Sequence, residues 1–204
     1  LDQIGPMVGY VAGDSNPFTD PNDDFVTVLY TNTGVNVEMK VSLQGGPDGT
    51  RHSDVTHQLK ITNTGVGPLD FHLFQYMDFD LMATAVDEYV EIFTDSGTGL
   101  PDEVLQTDGN WTVSEVVVPD ASHGQVGYFA QLINLMQDGD PTTLNDDFGP
   151  LTNGDLEYAL QWDIVIPEGG TFILSKDILI TPEPGTLMLG LIGLLGLGLA
   201  RRRR

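Results

Sequence analysis

Two clusters of acidic residues have the types and spacing that could bind a metal ion. The first contains Asp14, Asp20 and Asp23, and the second contains Asp138, Asp140 and Asp146. Ca²⁺ takes about six to eight oxygen ligands from an irregular backbone, and both segments supply such ligands. Neither segment matches the twelve-residue calcium loop, because the glycine and the closing glutamate are missing. We interpret both as solvated acidic loops and predict no cofactor; Ca²⁺ at one of them is the alternative.

Asp78 and Asp80 are the best candidates for acid–base chemistry. They lie two residues apart in a predicted strand, so both carboxylates point to the same side. Paired carboxylates can serve as acid and base, but the sequence shows neither a partner nor a cleft. We therefore predict two acids on a solvent face.

The histidines and aromatic residues do not complete a catalytic motif. No zinc-site spacing relates the four histidines, and the adjacency of Ser122 and His123 does not make a triad. Tyr158 and Trp162 share the apolar face of a strand and are assigned to the core. Tyr76 falls on the polar side of its strand, which makes it the exposed candidate for stacking on a sugar. The sequence thus predicts a protein that is not an enzyme.

Charge and composition exclude several classes of protein. The 204 residues carry 30 Asp and Glu against 8 Lys and Arg, a net charge of −22, and half of the positive charge is at the C-terminus. Such a surface repels phosphate backbones, so nucleic acid is excluded as a partner. There is no cysteine, which excludes disulfides. The 24 glycines and 12 prolines, with many aspartates, favour turns over helices.

Alternation of apolar and polar residues predicts β-strands between residues 25 and 180. The longest runs cover residues 35–43, 69–81 and 156–166. Shorter strands are predicted at 25–30, 55–62, 89–93, 111–118, 126–135 and 171–180; the alternative for 126–136 is a short helix. One apolar and one polar face indicate antiparallel sheets packed together. We predict an all-β protein, with an acidic N-terminal segment (1–24) and a single antiparallel β-sandwich or jelly-roll-like domain (25–180).

The C-terminal tail is apolar over fifteen residues and ends in four arginines. A helix without a polar face must be buried in protein or lipid. At about 23 Å it is shorter than a hydrocarbon core of about 30 Å, but arginines can snorkel and a bilayer can thin. The alternative is a buried core helix, which four arginines disfavour. We predict a short transmembrane helix through Thr186, Leu187, Leu189, Leu191, Ile192, Leu194, Leu195, Leu197, Leu199 and Ala200, with a cytoplasmic anchor of Arg201, Arg202, Arg203 and Arg204.

The triplet Pro182, Glu183 and Pro184 precedes this span, and the three parts in this order resemble the PEP-CTERM sorting domain of Gram-negative bacteria. The resemblance covers residues 181–204. It implies export, retention in the inner membrane with the body in the periplasm, cleavage near the triplet by an exosortase, and transfer to the cell surface or medium. It also implies a bacterium that makes exopolysaccharide or biofilm. Prolines keep the triplet extended, as a processing enzyme requires.

The combined prediction is an exported, non-enzymatic protein of the cell surface or extracellular matrix, with an exosortase and exopolysaccharide as expected partners. The first alternative is a carbohydrate- or calcium-dependent adhesion module, which needs a metal loop or an exposed aromatic platform. The second is a hydrolase on a sandwich scaffold, which needs a cleft with two acids of different pKa.

Overall fold

The computed structural model describes residues 7–15, 23–47, 49–81 and 88–182. Within these ranges the chain forms twelve strands and one short helix. The strands are β1 (Met7–Gly13), β2 (Phe25–Asn32), β3 (Val35–Gly45), β4 (Ser53–Asn63), β5 (Leu69–Asp78), β6 (Glu88–Thr94), β7 (Pro101–Asp108), β8 (Trp111–Val118), β9 (His123–Tyr128), β10 (Leu151–Thr152), β11 (Leu156–Ile166) and β12 (Thr171–Pro182). The helix, α1 (Gln131–Gln137), follows β9.

The strands form two antiparallel sheets packed as a sandwich, which confirms the predicted fold class. The large sheet has the order β1-β2-β3-β4-β12-β8-β7-β6-β10, and the small sheet has the order β5-β11-β9. Strand β1 pairs with β2 so that Gly13 lies opposite Phe25. The large sheet therefore includes part of the segment upstream of residue 25.

Strand β11 is covered on both faces. Tyr158 and Trp162, at 0% and 2% exposure, pack against residues of the large sheet such as Val104, which confirms that they belong to the core. The other face carries Ala159, which packs with Leu132 and Leu144. This second layer also buries polar residues of β11 that the alternation assigns to a polar face.

The strand predicted over residues 126–135 is wrong after residue 128, and the alternative, a short helix, is correct for the part from Gln131 onward. Strand β9 ends at Tyr128, Ala130 takes a left-handed φ of 66°, and α1 begins at Gln131. The carboxylate of Glu157 accepts hydrogen bonds from the amides of Ala130, at 3.0 Å, and Leu132. These bonds satisfy donors that the first turn of a helix leaves free. The helix forms because Glu157 caps its start and Leu132 fills the space beneath β11.

No helix in the described ranges is long and apolar enough to cross a membrane. The predicted transmembrane span, residues 186–200, and the arginine anchor lie outside these ranges.

Candidate functional site

The sorting tail begins where the last strand of the large sheet ends. Strand β12 pairs with β8 as far as Pro182, which lies opposite Trp111. Proline has no N–H for a sheet ladder, so it suits the last position of a strand. Pro182 is the one member of the predicted processing triplet within the described residues, since Glu183 and Pro184 lie outside them.

A groove of about 670 Å³ lies between the inner face of the large sheet and strand β5. In the described structure β5 is an outer strand of the small sheet, which has only three strands against nine. The groove forms at this edge, where apolar side chains of β3, β4 and β12 face β5. Its apolar wall includes Val37, Met39, Leu59, Ile61, Leu73 and Leu174. Concave, mostly apolar sites with a few polar groups are typical of ligand binding.

The polar end of the groove surrounds a buried carboxylate, that of Glu115. Lys176 Nζ lies 3.3 Å from Glu115 Oε1. Gln75 Nε2 donates to both carboxylate oxygens, at 2.6 and 2.8 Å, and the hydroxyl of Tyr158 donates to Oε2. Glu115 is 0% exposed, so these partners replace the water that it loses. This contact explains why a polar residue, Gln75, stands on the otherwise apolar face of its strand.

Burial changes the ionisation of the groups around Glu115. It lowers the pKa of Lys176, and the attraction of Glu115 opposes this change. It raises the pKa of Tyr158, with Glu115 adding to the effect. It also lowers the pKa of His57, which lines the groove, and the charge of Lys176 lowers it further. Perturbed groups in a concave site are a mark of functional sites.

Four aromatic side chains line the groove: Tyr30, Phe71, Phe74 and Tyr76. Tyr76 is half-buried, not displayed on the surface as the sequence suggests. Its hydroxyl donates to Glu157 at 2.7 Å and to Asp78 at 3.2 Å, and burial raises its pKa. The ring packs with Leu132, Leu144 and Ala159 in the second layer, on the face of β5 that is turned away from the large sheet.

The acids of the second predicted calcium loop have local partners instead of a shared site. Asp138 accepts a hydrogen bond from the amide of Asp140 at 2.9 Å, and Asp146 lies 3.1 Å from His123 Nδ1. Within the described residues, Asp138, Asp140 and Asp146 do not form a group of three with ligand atoms at metal-binding separations. These aspartates stabilise turns, as Asp commonly does.

The first predicted calcium loop is only partly described. Asp14 and Asp23 flank residues 16–22, so Asp20 lies outside the described ranges. The adjacent Asp24 accepts a hydrogen bond from the amide of Ser15 at 2.8 Å. Among the described residues, no aspartate of this segment belongs to a group of three whose ligand atoms lie at metal-binding separations.

Ser122 and His123 do not have the geometry of a catalytic nucleophile and its base. The hydroxyl of Ser122 accepts a hydrogen bond from the amide of Asp163 at 3.0 Å. His123 instead pairs with Asp146 and, at 3.5 Å, with Asp163. The hydrogen bond between nucleophile and base that a triad needs is not among the contacts of these described residues.

Comparison with known proteins confirms the resemblance of the tail. The PEP-CTERM protein-sorting motif matches residues 181–204. The chain is therefore an exported protein that carries a C-terminal, membrane-anchored sorting signal and is processed by an exosortase-type enzyme. The match covers the tail and does not extend to the body.

No curated protein matches the chain. Among solved structures, the chain is similar to a bacterial glucoamylase in complex with acarbose, at 8% sequence identity and a TM-score of 0.47. The similarity covers 92% of this chain and 26% of that one. A similarity at this level does not support any inference about function.

Proposed function

We propose that the body is a non-enzymatic component of the cell surface or extracellular matrix and binds exopolysaccharide in the groove beside β5. The groove carries this proposal, because it combines aromatic side chains, which stack on sugar rings, with polar side chains at one end. The sorting motif supports it, since an exported protein meets the polysaccharides that its cell secretes.

The contacts at the polar end support a binding role over a catalytic one. Glu115 is engaged by Lys176, Gln75 and Tyr158, so it is a poor general base. Catalysis by a carboxylate pair requires two acids that flank a reacting bond with different pKa values. A carboxylate that is fully occupied by internal partners serves better to hold Lys176 and Gln75 in position.

The route to the surface follows from the order of the tail. We propose that Arg201–Arg204 stay in the cytoplasm, that the body folds in the periplasm, and that cleavage near Pro182–Pro184 releases it. Mass spectrometry of the extracellular protein should find a C-terminus close to the triplet. An extracellular form that retains Arg204 would contradict this route.

Binding in the groove is tested with purified exopolysaccharide from the producing strain, by calorimetry on the full chain in mild detergent. Tyr30→Leu and Phe71→Leu remove a ring but keep apolar volume, and each should weaken binding by about tenfold, roughly 1.4 kcal/mol. Tyr10→Leu is the matched control, because Tyr10 is 66% exposed on β1 and outside the groove.

Two results would overturn the proposal. One is an affinity that is equal in the wild type and both groove variants, which would place any binding elsewhere. The other is the release of new reducing ends from the polysaccharide, which would show that the protein is a hydrolase. A glycan array extends the test to the alternative role, adhesion to glycans of other cells.

A further inference from the structure

Three aspartates converge at one end of the sandwich, at a position distinct from both predicted calcium loops. Asp78 ends β5, Asp80 follows it, and Asp155 precedes β11. Antiparallel pairing sets Asp78 opposite Glu157 and so brings the three together. Each offers a carboxylate oxygen, and these oxygens lie within 4.8 Å of one another. We call this group the acidic corner.

Two buried side chains of the large sheet lie beneath the acidic corner. Glu88 and Gln106 are 1% and 0% exposed. The amide of Leu156, the residue after Asp155, donates to Glu88 Oε2 at 2.7 Å. Gln106 Nε2 donates to the carbonyl oxygen of Leu156 at 3.2 Å and to that of Phe79, between the other two aspartates, at 3.3 Å. These contacts fix both side chains against the backbone that carries the corner.

These side chains leave oxygen atoms without a hydrogen-bond partner. Glu88 Oε1, Gln106 Oε1 and Asp155 Oδ1 are all buried and accept no hydrogen bond. A buried acceptor without a partner costs about 1–3 kcal/mol, and native proteins contain few of them. One of the three belongs to the acidic corner, and the other two belong to side chains bonded to the backbone of Leu156 beside it. A cation coordinated by oxygen atoms is the kind of ligand that would satisfy such acceptors.

The charge of the acidic corner points to a cation. The carboxylates of Asp155, Asp108 and Asp80 all lie close enough to Glu88 to repel its negative charge. Among the ion pairs of the described residues, none joins Lys, Arg or His to Asp78, Asp80, Asp155 or Glu88. The negative charge is therefore not compensated within the described chain.

We propose that the acidic corner binds one Ca²⁺ ion, held by carboxylate oxygens of Asp78, Asp80 and Asp155 above Glu88 and Gln106. The three donors are all carboxylate oxygens, which are ligands that Ca²⁺ prefers. The absence of nitrogen and sulfur donors in this described group disfavours zinc. The site does not depend on polysaccharide binding in the groove, so either proposal can fail alone.

The test is a Ca²⁺ titration of the full chain, purified in mild detergent and stripped with EGTA. Calorimetry should show one ion per chain. Thermal melting should show a rise in Tm beyond that produced by NaCl at matched ionic strength, since a ligand that binds the folded state stabilises it. Mg²⁺, which demands tighter octahedral geometry, should bind more weakly.

Variants locate the site. Asp80→Asn should lower the Ca²⁺ affinity at least about tenfold. Asp140→Asn is the matched control, because it makes the same change in a predicted loop that the structure does not assemble. In EGTA, Asp80→Asn should melt above the wild type, since it removes one of several repelling carboxylates. A higher Tm would also show that the variant is folded. Asp155→Asn is a second variant, for which we expect the same loss of Ca²⁺ affinity.

Three outcomes would overturn the proposal. They are the lack of Ca²⁺ binding by the wild type, an affinity unchanged in both Asp80→Asn and Asp155→Asn, and a loss of affinity in Asp140→Asn alone. The last would move the ion to the loop at residues 138–147.

Discussion

Two buried glutamates on the large sheet, Glu115 and Glu88, differ in what surrounds them. They are 0% and 1% exposed, so both have lost nearly all contact with bulk water. Glu115 has Lys176 at 3.3 Å and donors on both oxygens. Glu88 accepts from the amide of Leu156 and, at 3.5 Å, from Gln106 Nε2 on one oxygen, has no partner on the other, and has aspartates as its charged neighbours.

The two carboxylates differ in whether the chain supplies hydrogen-bond and charge partners for both of their oxygen atoms. Burying a charge costs several kcal/mol per ion unless partners replace the lost water. Around Glu115 the chain supplies those partners. Around Glu88 the described residues supply partners for one oxygen only, and we propose a cation nearby as the missing partner.

The largest expected effect is the loss of the cation beside Glu115. Lys176→Met should lower the free energy of unfolding by about 3 kcal/mol, because breaking a buried ion pair leaves an uncompensated charge. Urea unfolding measures this, with Lys60→Met on neighbouring β4 as an exposed control. If the two variants lose equal stability, the Glu115 cluster is not a compensated pair.

Neutralising Glu88 should have the opposite sign. In EGTA, Glu88→Gln should raise the free energy of unfolding by about 1–2 kcal/mol, since it removes a buried charge and adds a donor beside unpartnered oxygens. The same urea experiment measures it, with Glu38→Gln, exposed on β3, as control. A destabilised Glu88→Gln would mean that the two glutamates are alike, and the contrast would fail.

Acidification should destabilise the region around Glu115 through His57. Its pKa in the folded protein is lowered from 6.5, so the unfolded state binds the proton more readily. Stability is thus full above pH 6.5 and is lost as the pH falls through the lower folded pKa.

Melting curves of His57→Gln against its parent between pH 8 and 5 isolate this contribution. Both proteins should carry Glu88→Gln, because the raised pKa of Glu88 acts in the opposite direction. The parent should lose more stability than His57→Gln on acidification. Parallel curves for the two proteins would show that His57 does not titrate differently in the fold.

The smallest effect is expected in the second predicted calcium loop, which contains Asp146. Asp146 pairs with His123 at 3.1 Å, and the two side chains are 46% and 29% exposed. Exposed pairs contribute about 0.2–1 kcal/mol, so Asp146→Asn should change the free energy of unfolding by less than 1 kcal/mol. Calcium affinity, measured by calorimetry, should be unchanged; a large change would return the metal to this loop.

Prediction from the sequence succeeds for elements whose pattern lies within one short stretch of residues. The strands β8 and β11 begin and end where alternation indicates, at Trp111–Val118 and Leu156–Ile166. The tail is recognised from residues 181–204 alone. Strand β7 escapes prediction because Gln106 and Asp108 occupy inward positions that alternation reserves for apolar residues.

The acidic corner could not be read from the sequence, because its parts lie on different strands. Asp78 and Asp80 are recognisable as a pair, but Asp155 and Glu88 reach them only through sheet pairing and sandwich packing. The acidic loops attract attention instead because aspartate is common in turns. The proposed site therefore follows from carboxylates that the fold brings together, and not from the density of acids along the sequence.

The most direct measurement is anomalous diffraction from crystals grown with Ca²⁺ and soaked in Tb³⁺, which replaces Ca²⁺ at oxygen sites. We expect one strong peak within coordination distance of Asp78, Asp80 and Asp155, and none beside Glu115 or in the loop at residues 138–147. Crystals that show no peak at the acidic corner, or a peak beside Asp140 instead, would contradict the assignment of calcium to this corner.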